Sequence, residues 1–404
     1  MKYVVILGDG MADYRQPFLD NKTPLMLAHK PFIDDLAKKG EVGLCRTVPC
    51  GMKPGSDVAN LSVMGYDPAD CYTGRSPLEA ASIGIDLKET DVSTRANLVT
   101  ISNEQIYEDK TMLDYSAGEI STKEAKELIE YLARHIDSDQ FKLYSGVSYR
   151  HCLVTNNGIM AGDLTPPHDI TNKPIKEYLP CSEMGKKLLE IQKKSHELLK
   201  DHPINIERIK NGKNPANSLW FWGEGTKPNL QNFKQKFGIS GAVISAVDLL
   251  KGIGHLSGMR VIEVEGATGN YDTNFSGKAN ACINALLNEG IDYVYIHMEA
   301  PDECGHQGDA EHKIFSIEQI DKLVVEPIIK ALEQSEEEFR ILVAPDHLTP
   351  LSTGTHCGEP VPYIIYKSDK PIKSGVNGYD EEQALSTGVF IENGYELMNR
   401  LLKG

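Results

Sequence analysis

The chain has 404 residues, 40% hydrophobic and 25% charged, with 42 basic and 58 acidic side chains and a formal net charge of −16. That is the profile of a soluble globular protein long enough for two domains, and its charge disfavours nucleic acid and anionic membranes as partners. No apolar run reaches the roughly 20 residues of a membrane span, and the eight scattered cysteines, with no C-x-x-C pair, read as reduced thiols of a cytoplasmic protein.

The N-terminus, MKYVVILGDGMADY, reads as a first buried strand over residues 3–7 and not as a signal peptide, because it lacks a long apolar region and a small-residue cleavage site. Residues 31–40 form a helical pattern stopped by Gly40, and 41–48 a second strand. PGSDVANLSVMGY (54–66) is then a loop feeding a helix, with Ser56 and Asp57 at its start. A serine in that position caps a helix, or it serves as a nucleophile at a phosphate-favouring helix N-terminus. From about residue 90 to 215 the character changes to short strands and two polar helices, 121–136 and 182–202. The first of these opens with a Ser121/Glu124 capping box and the second with Ser182. Residues 165–174, TPPHDITNKP, form a loop rich in turn residues. Strand patterns return at 258–266, 291–299 and 339–346, with helices over 277–289 and 312–334. This alternation predicts an α/β core with a mostly parallel sheet flanked by helices, built from residues 1–88 and 216–404, with a smaller α+β domain inserted at 89–215.

In open α/β sheets functional groups gather beyond the carboxyl ends of strands. Asp9 follows the first strand; Asp302, Glu303 and His306 follow IDYVYIHMEA; Asp346 and His347 follow FRILVAP; His356 lies nine residues further on. With Ser56 these make three Asp, three His and one Ser, a set suited to divalent cations and numerous enough for two of them. Cys304 and Cys357 adjoin this set, but sequence neighbours usually point elsewhere. There is no G-x-G-x-x-G, no Walker A sequence and no G-x-S-x-G elbow.

The order Asp, Ser, D-x-x-x-H, Asp-His, His resembles the alkaline phosphatase superfamily. Within it GDGMAD, PGSDVANLSVMGYDP, GRSPLEAASIG, PPHDI, ISAVDLLKGIG, PDECGHQGD and HCGEPVP resemble the cofactor-independent phosphoglycerate mutases of the archaeal type. The resemblance implies an alkaline-phosphatase-like core and two metals, Mn or Zn ahead of Mg, with no 2,3-bisphosphoglycerate. It groups Asp9, Ser56, Asp346 and His347 around one ion and Asp302, His306 and His356 around the other, makes Ser56 the carrier of phosphate, and makes the inserted domain a lid that holds glycerate. An anionic substrate needs basic partners; the candidates are Arg95, Arg150 and His151 in the insert, Lys278 in the core and, more weakly, Arg75. Homoserine kinase and metal-dependent phosphatase are the rival activities, and a non-catalytic metal-binding protein is the rival class. The general acid and base and the oligomeric state stay open.

Overall fold

The structure, a computed structural model, describes residues 1–403. Its strands in chain order are β1 (Lys2–Gly8), β2 (Glu41–Cys45), β3 (Val92–Ile101), β4 (Met112–Asp114), β5 (Phe141–Tyr144), β6 (Arg150–Thr155), β7 (Ser218–Thr226), β8 (Gly241–Ile244), β9 (Arg260–Ile262), β10 (Tyr293–Met298), β11 (Phe339–Ala344), β12 (Val361–Lys367) and β13 (Phe390–Ile391). The chain divides into two compact units, Met1–Tyr72 with Asn229–Gly404, and Thr73–Pro228.

The first unit carries one eight-stranded sheet in the order β13-β2-β12-β11-β1-β10-β8-β9. β11, β1, β10, β8 and β9 run parallel, while β12 is antiparallel to both β11 and β2. The apolar run YVVIL forms the central strand because both its faces are covered, as a parallel sheet requires. Val4 and Ile6 of β1, Val294 and Ile296 of β10, and Ile341 and Val343 of β11 share one core with the helices Phe275–Leu287 and Ala310–Ile320. By alternation, Tyr293, Tyr295 and His297 face the other side of the sheet.

Two expected elements are modified. The strand over 258–266 shortens to Arg260–Ile262. The helix over 312–334 begins at Ala310 and is widened at Asp321–Val325 before resuming at Glu326–Gln334. Pro327, which cannot donate to the turn before it, sits at that junction.

The second unit is built on an antiparallel sheet centred on β3, which pairs with β6, β7 and β4. Helices Thr122–Ile136 and Glu183–Leu199 start as their caps predict: Ser121 Oγ accepts from Glu124 N at 3.3 Å and Ser182 Oγ from Gly185 N at 3.0 Å. The unit extends beyond the expected 89–215 on both sides. Helix Arg75–Ser82 packs on β3 and β7, and β7 itself continues to Thr226. Among the described residues no helix is long and apolar enough to cross a membrane.

A buried ion pair braces the loop that follows β11. Lys313 Nζ donates to Asp13 Oδ2 at 2.8 Å and to the Thr349 carbonyl at 2.7 Å, and Asp13 Oδ2 also accepts from Leu351 N at 3.1 Å. Glu381 secures Asp13 in turn, accepting its backbone N–H at 2.9 Å and the Thr23 hydroxyl at 2.8 Å. Burial pushes the Glu381 carboxyl up to about 7 against the hydrogen bonds that favour its charge. A carboxyl raised in the folded state contributes stability that is complete below its unfolded value near 4.5 and is lost as the pH rises through 7. Glu381→Gln can keep both contacts, so thermal melts of the variant and the wild type should diverge in the variant's favour as the pH rises across that window, by up to roughly 3 kcal/mol. A wild-type curve parallel to the variant's would contradict the raised value.

Candidate active site

Because β11, β1 and β10 are adjacent and parallel, their carboxyl ends lie side by side. Asp9 leaves β1, Asp346 and His347 leave β11, and Asp302 and His306 stand one turn apart on the helix Ala300–Gln307 that follows β10. Gly10 makes the approach feasible. Its φ is +60°, and a Cβ there would sit 2.7 Å from Asp302 Oδ1 and 2.8 Å from Asp302 Cα.

Two sets of ligating atoms result. In the first, His347 Nε2 lies 3.6 Å from Asp9 Oδ1 and 3.4 Å from Asp346 Oδ2. Asp346 is anchored by N–H groups of Gly10 (3.2 Å) and His347 (2.9 Å) on Oδ1 and by the Asn60 amide (2.8 Å) on Oδ2. Asp9 Oδ2 contacts His297 Nε2 at 2.9 Å, whereas Asp9 Oδ1 is buried with no hydrogen-bond partner. Burial, and then the charges of Asp346 and Asp302, push the Asp9 carboxyl well above its usual range. An orphaned carboxylate oxygen among buried like charges is the environment a divalent cation relieves.

In the second set, His306 Nε2 and His356 Nε2 lie 3.0 Å apart, at 3.2 and 3.4 Å from the two oxygens of Asp302. His306 Nδ1–H donates to the Gly354 carbonyl at 2.8 Å, which turns Nε2 toward Asp302. These separations are close to the roughly 3.4 Å between ligand atoms of a tetrahedral ion with bonds of about 2.1 Å. The hydrogen bond to Asp302 raises His306 to about 9, a proton that a bound cation replaces. His347 stands between the sets, its ring stacked 4.0 Å from that of His356.

Ser56 opens the helix Ser56–Val63 as its first residue; Gly55 occupies the cap position. Its hydroxyl does not cap the helix: Oγ lies 3.2 Å from His347 Nε2. Asp57 turns the other way, accepting from Val58 N at 2.9 Å and from the Tyr72 hydroxyl at 2.6 Å. Cys304 and Cys357 belong to neither set among the described residues.

Lys278 is fully buried, its Nζ 3.0 Å from the His297 carbonyl, and burial lowers it to about 8. In the second unit Glu79 accepts from Arg75 Nε at 2.9 Å and pairs with Arg95 Nε at 2.9 Å. Burial pushes the Glu79 carboxyl up, but the charges of Arg95, Arg75 and Arg150 outweigh it and hold the group below its usual range. Arg95 is buried against Trp222, its guanidinium carbon 4.0 Å from the ring centroid, and burial lowers it to about 10, still cationic at neutral pH. Arg95 and Arg150 share a sheet face, paired across β3 and β6 with Cys152 and Asn97. His151 does not join them. It points to the opposite face, its Nδ1 takes the Gly146 N–H at 3.0 Å, and burial lowers it to about 3.

Sequence reasoning missed His297, Asn60, Glu79 and Trp222. All four lie inside helices or strands, not just beyond strand ends. The motifs GRSPLEAASIG and ANLSVMGY contain Glu79 and Asn60 and were the available signal.

The fold and these side chains define an α/β core that gathers carboxylates and imidazoles suited to divalent cations, with a serine hydroxyl against one of the imidazoles. The model of the family described as 2,3-bisphosphoglycerate-independent phosphoglycerate mutase matches residues 37–205. A probable 2,3-bisphosphoglycerate-independent phosphoglycerate mutase of Geobacter sulfurreducens is 50% identical over 402 residues, covering 100% of both chains. The enzyme of that name from Methanosarcina barkeri is 48% identical, again over 100% of both. Among solved structures, the PH0037 protein from Pyrococcus horikoshii superposes with a TM-score of 0.82 at 28% identity, covering 100% of this chain and 96% of that one. A cofactor-independent phosphoglycerate mutase from Thermoplasma acidophilum gives 0.65 at 27%, covering 100% and 99%. The chain belongs to the 2,3-bisphosphoglycerate-independent phosphoglycerate mutase family.

Adding Mn to metal-stripped protein should raise its melting temperature, by the equivalent of about 2.7 kcal/mol at a hundredfold excess over the dissociation constant. Asp9→Asn removes one of the clustered charges. That variant should melt no lower than stripped wild type and should lose most of the metal-induced shift. A full shift in the variant would remove Asp9 from the ligand set.

Proposed function

We propose that this chain interconverts 3-phosphoglycerate and 2-phosphoglycerate through a phosphoserine on Ser56, with two divalent cations, Mn or Zn, and without 2,3-bisphosphoglycerate. The observation that carries the reading is the Ser56 hydroxyl, at the start of a helix and 3.2 Å from His347 Nε2, the nitrogen that lies 3.6 Å from the unpaired Asp9 oxygen. Asp9, Ser56, Asp346 and His347 would hold one cation, and Asp302, His306 and His356 the other. Bound there, the cations would supply positive charge for the phosphoryl oxygens and lower the pKa of the serine hydroxyl.

The chain's own groups account for the rest. Ser56 Oγ attacks phosphorus, the bond from phosphorus to the glycerate oxygen breaks, and the departing oxygen gains a proton as Ser56 loses one. In the second half the other glycerate hydroxyl attacks the phosphoserine, and Ser56 regains its proton. The N–H groups at the start of the Ser56–Val63 helix favour the phosphate's negative charge. Lys278, lowered toward neutrality by burial, lies one carbonyl away from the Asp9–His297 contact and adds a positive charge behind the cluster.

Three guanidiniums around one carboxylate leave the Arg75–Glu79–Arg95–Arg150 group with excess positive charge, suited to the glycerate carboxylate. The substrate-holding role of the inserted unit rests on that group in this reading. His151, turned to the other face, has no part in it.

With 3-phosphoglycerate as sole substrate and Mn present, the wild type should turn over without ATP. Ser56→Ala should lose at least about 1,000-fold in kcat while still taking up metal. ATP-dependent phosphorylation of homoserine, with no mutase turnover, would replace this reading by the kinase one. Full activity in Ser56→Ala would remove the phosphoserine.

A further inference from the structure

One strand face supports both carboxylates of the first cation set. Tyr295 and His297 alternate along β10 and point to the same side. The Tyr295 hydroxyl donates to Asn60 Oδ1, and the Asn60 amide donates to Asp346 Oδ2 and to the Ser56 carbonyl, each at 2.8 Å. His297, which is fully buried, contacts Asp9 Oδ2 at 2.9 Å through Nε2 and Ser245 Oγ at 3.3 Å through Nδ1. Ser245 follows β8, the neighbouring strand, and its Oγ already accepts the Val247 N–H at 3.0 Å. Against an Asp9 carboxylate, which can only accept, the 2.9 Å contact puts the His297 proton on Nε2, and Nδ1 then accepts the Ser245 hydroxyl hydrogen. The result is an Asp9 carboxylate with one oxygen tied and the other, Oδ1, bare and turned toward His347.

We propose that His297 is a positioning residue for the cation site: donating from Nε2 to Asp9, with Ser245 on its other nitrogen, it holds Asp9 so that a single carboxylate oxygen is presented to the metal. The inference rests on the cation-binding reading above. His297 Nε2 lies close enough to Asp9 and Asp346 to be taken for a third ligand, yet a ligating nitrogen must be free of its proton, and the 2.9 Å contact with the acceptor-only Asp9 carboxylate assigns the proton to that nitrogen. An outer partner of this kind orients the ligand and typically contributes 10- to 100-fold in metal affinity.

The test is Mn titration of metal-stripped full-length protein by calorimetry, together with pulsed electron paramagnetic resonance of the bound Mn to count directly coordinated nitrogens. His297→Phe should weaken Mn binding by about 10- to 100-fold at the first site with the nitrogen count unchanged. His297→Gln, whose amide can offer an N–H near the original Nε2, should recover most of that loss. Ser245→Ala leaves the imidazole in place and should shift affinity in the same direction by a smaller factor, which keeps the test open if His297→Phe fails to fold. Unchanged affinity in both His297→Phe and Ser245→Ala overturns the inference. Loss of one coordinated nitrogen in His297→Phe also overturns it, by making His297 a ligand. Wild-type protein that binds no Mn overturns the cation reading itself, and the positioning role of His297 with it.

Discussion

Everything in the core unit turns on burying Asp9, Asp346 and Asp302 close enough together that the charges of the other two add to burial in raising the Asp9 carboxyl. Three like charges out of water are unfavourable unless each is paired or a cation sits among them. The fold handles part of this with its own groups: two backbone N–H donors and an amide on Asp346, an imidazole on Asp9, and His306 and His356 around Asp302. It leaves one oxygen, Asp9 Oδ1, without a partner. The remaining deficit is positive and local, which is what divalent ions supply. The parallel run of β11, β1 and β10 is needed because only adjacent parallel strands deliver three acidic ends to one edge.

The second unit meets the opposite problem with the opposite sign. On a chain with a net charge of −16, its β3 sheet gathers Arg75, Arg95 and Arg150 around the single carboxylate of Glu79. Trp222 covers the Arg95 guanidinium and limits its hydration, while Glu79 fixes where it points. A phosphorylated hydroxy acid carries two kinds of negative charge, phosphate and carboxylate. In the proposed reading, the first unit's acidic and imidazole cluster with its cations would meet the one, and the second unit's arginine cluster the other.

Much of this was legible in the sequence because strand ends are legible. YVVIL can hardly be anything but a buried strand, so Asp9 lands at its carboxyl end; the same argument places Asp346 and His347 after FRILVAP. Ser56 alone reads as cap or nucleophile, and the distant Asp and His residues tip the sequence reading to nucleophile with Asp57 left to the helix; in the structure Asp57 makes local contacts and the Ser56 hydroxyl lies against His347. His297 was hidden inside IDYVYIHMEA, where a histidine in an apolar strand looks like core; its function depends on which face it takes and on Ser245, two strands of context away in sequence. His151 shows the same limit in reverse. It neighbours Arg150, but period-two alternation sends it to the other side of the sheet. The boundary at residue 88 was too late because helix Arg75–Ser82 belongs by packing to strands that follow it in the chain.

The account stands or falls on where the phosphate goes. Rapid-quench mixing of Mn-loaded protein with 3-phosphoglycerate labelled in its phosphorus, followed by peptide mapping, reads this directly. Label should appear on the peptide bearing Ser56 before 2-phosphoglycerate forms, and should chase into product when unlabelled substrate is added. Product formation with no label on Ser56 at any time, or label on another residue, would contradict the account.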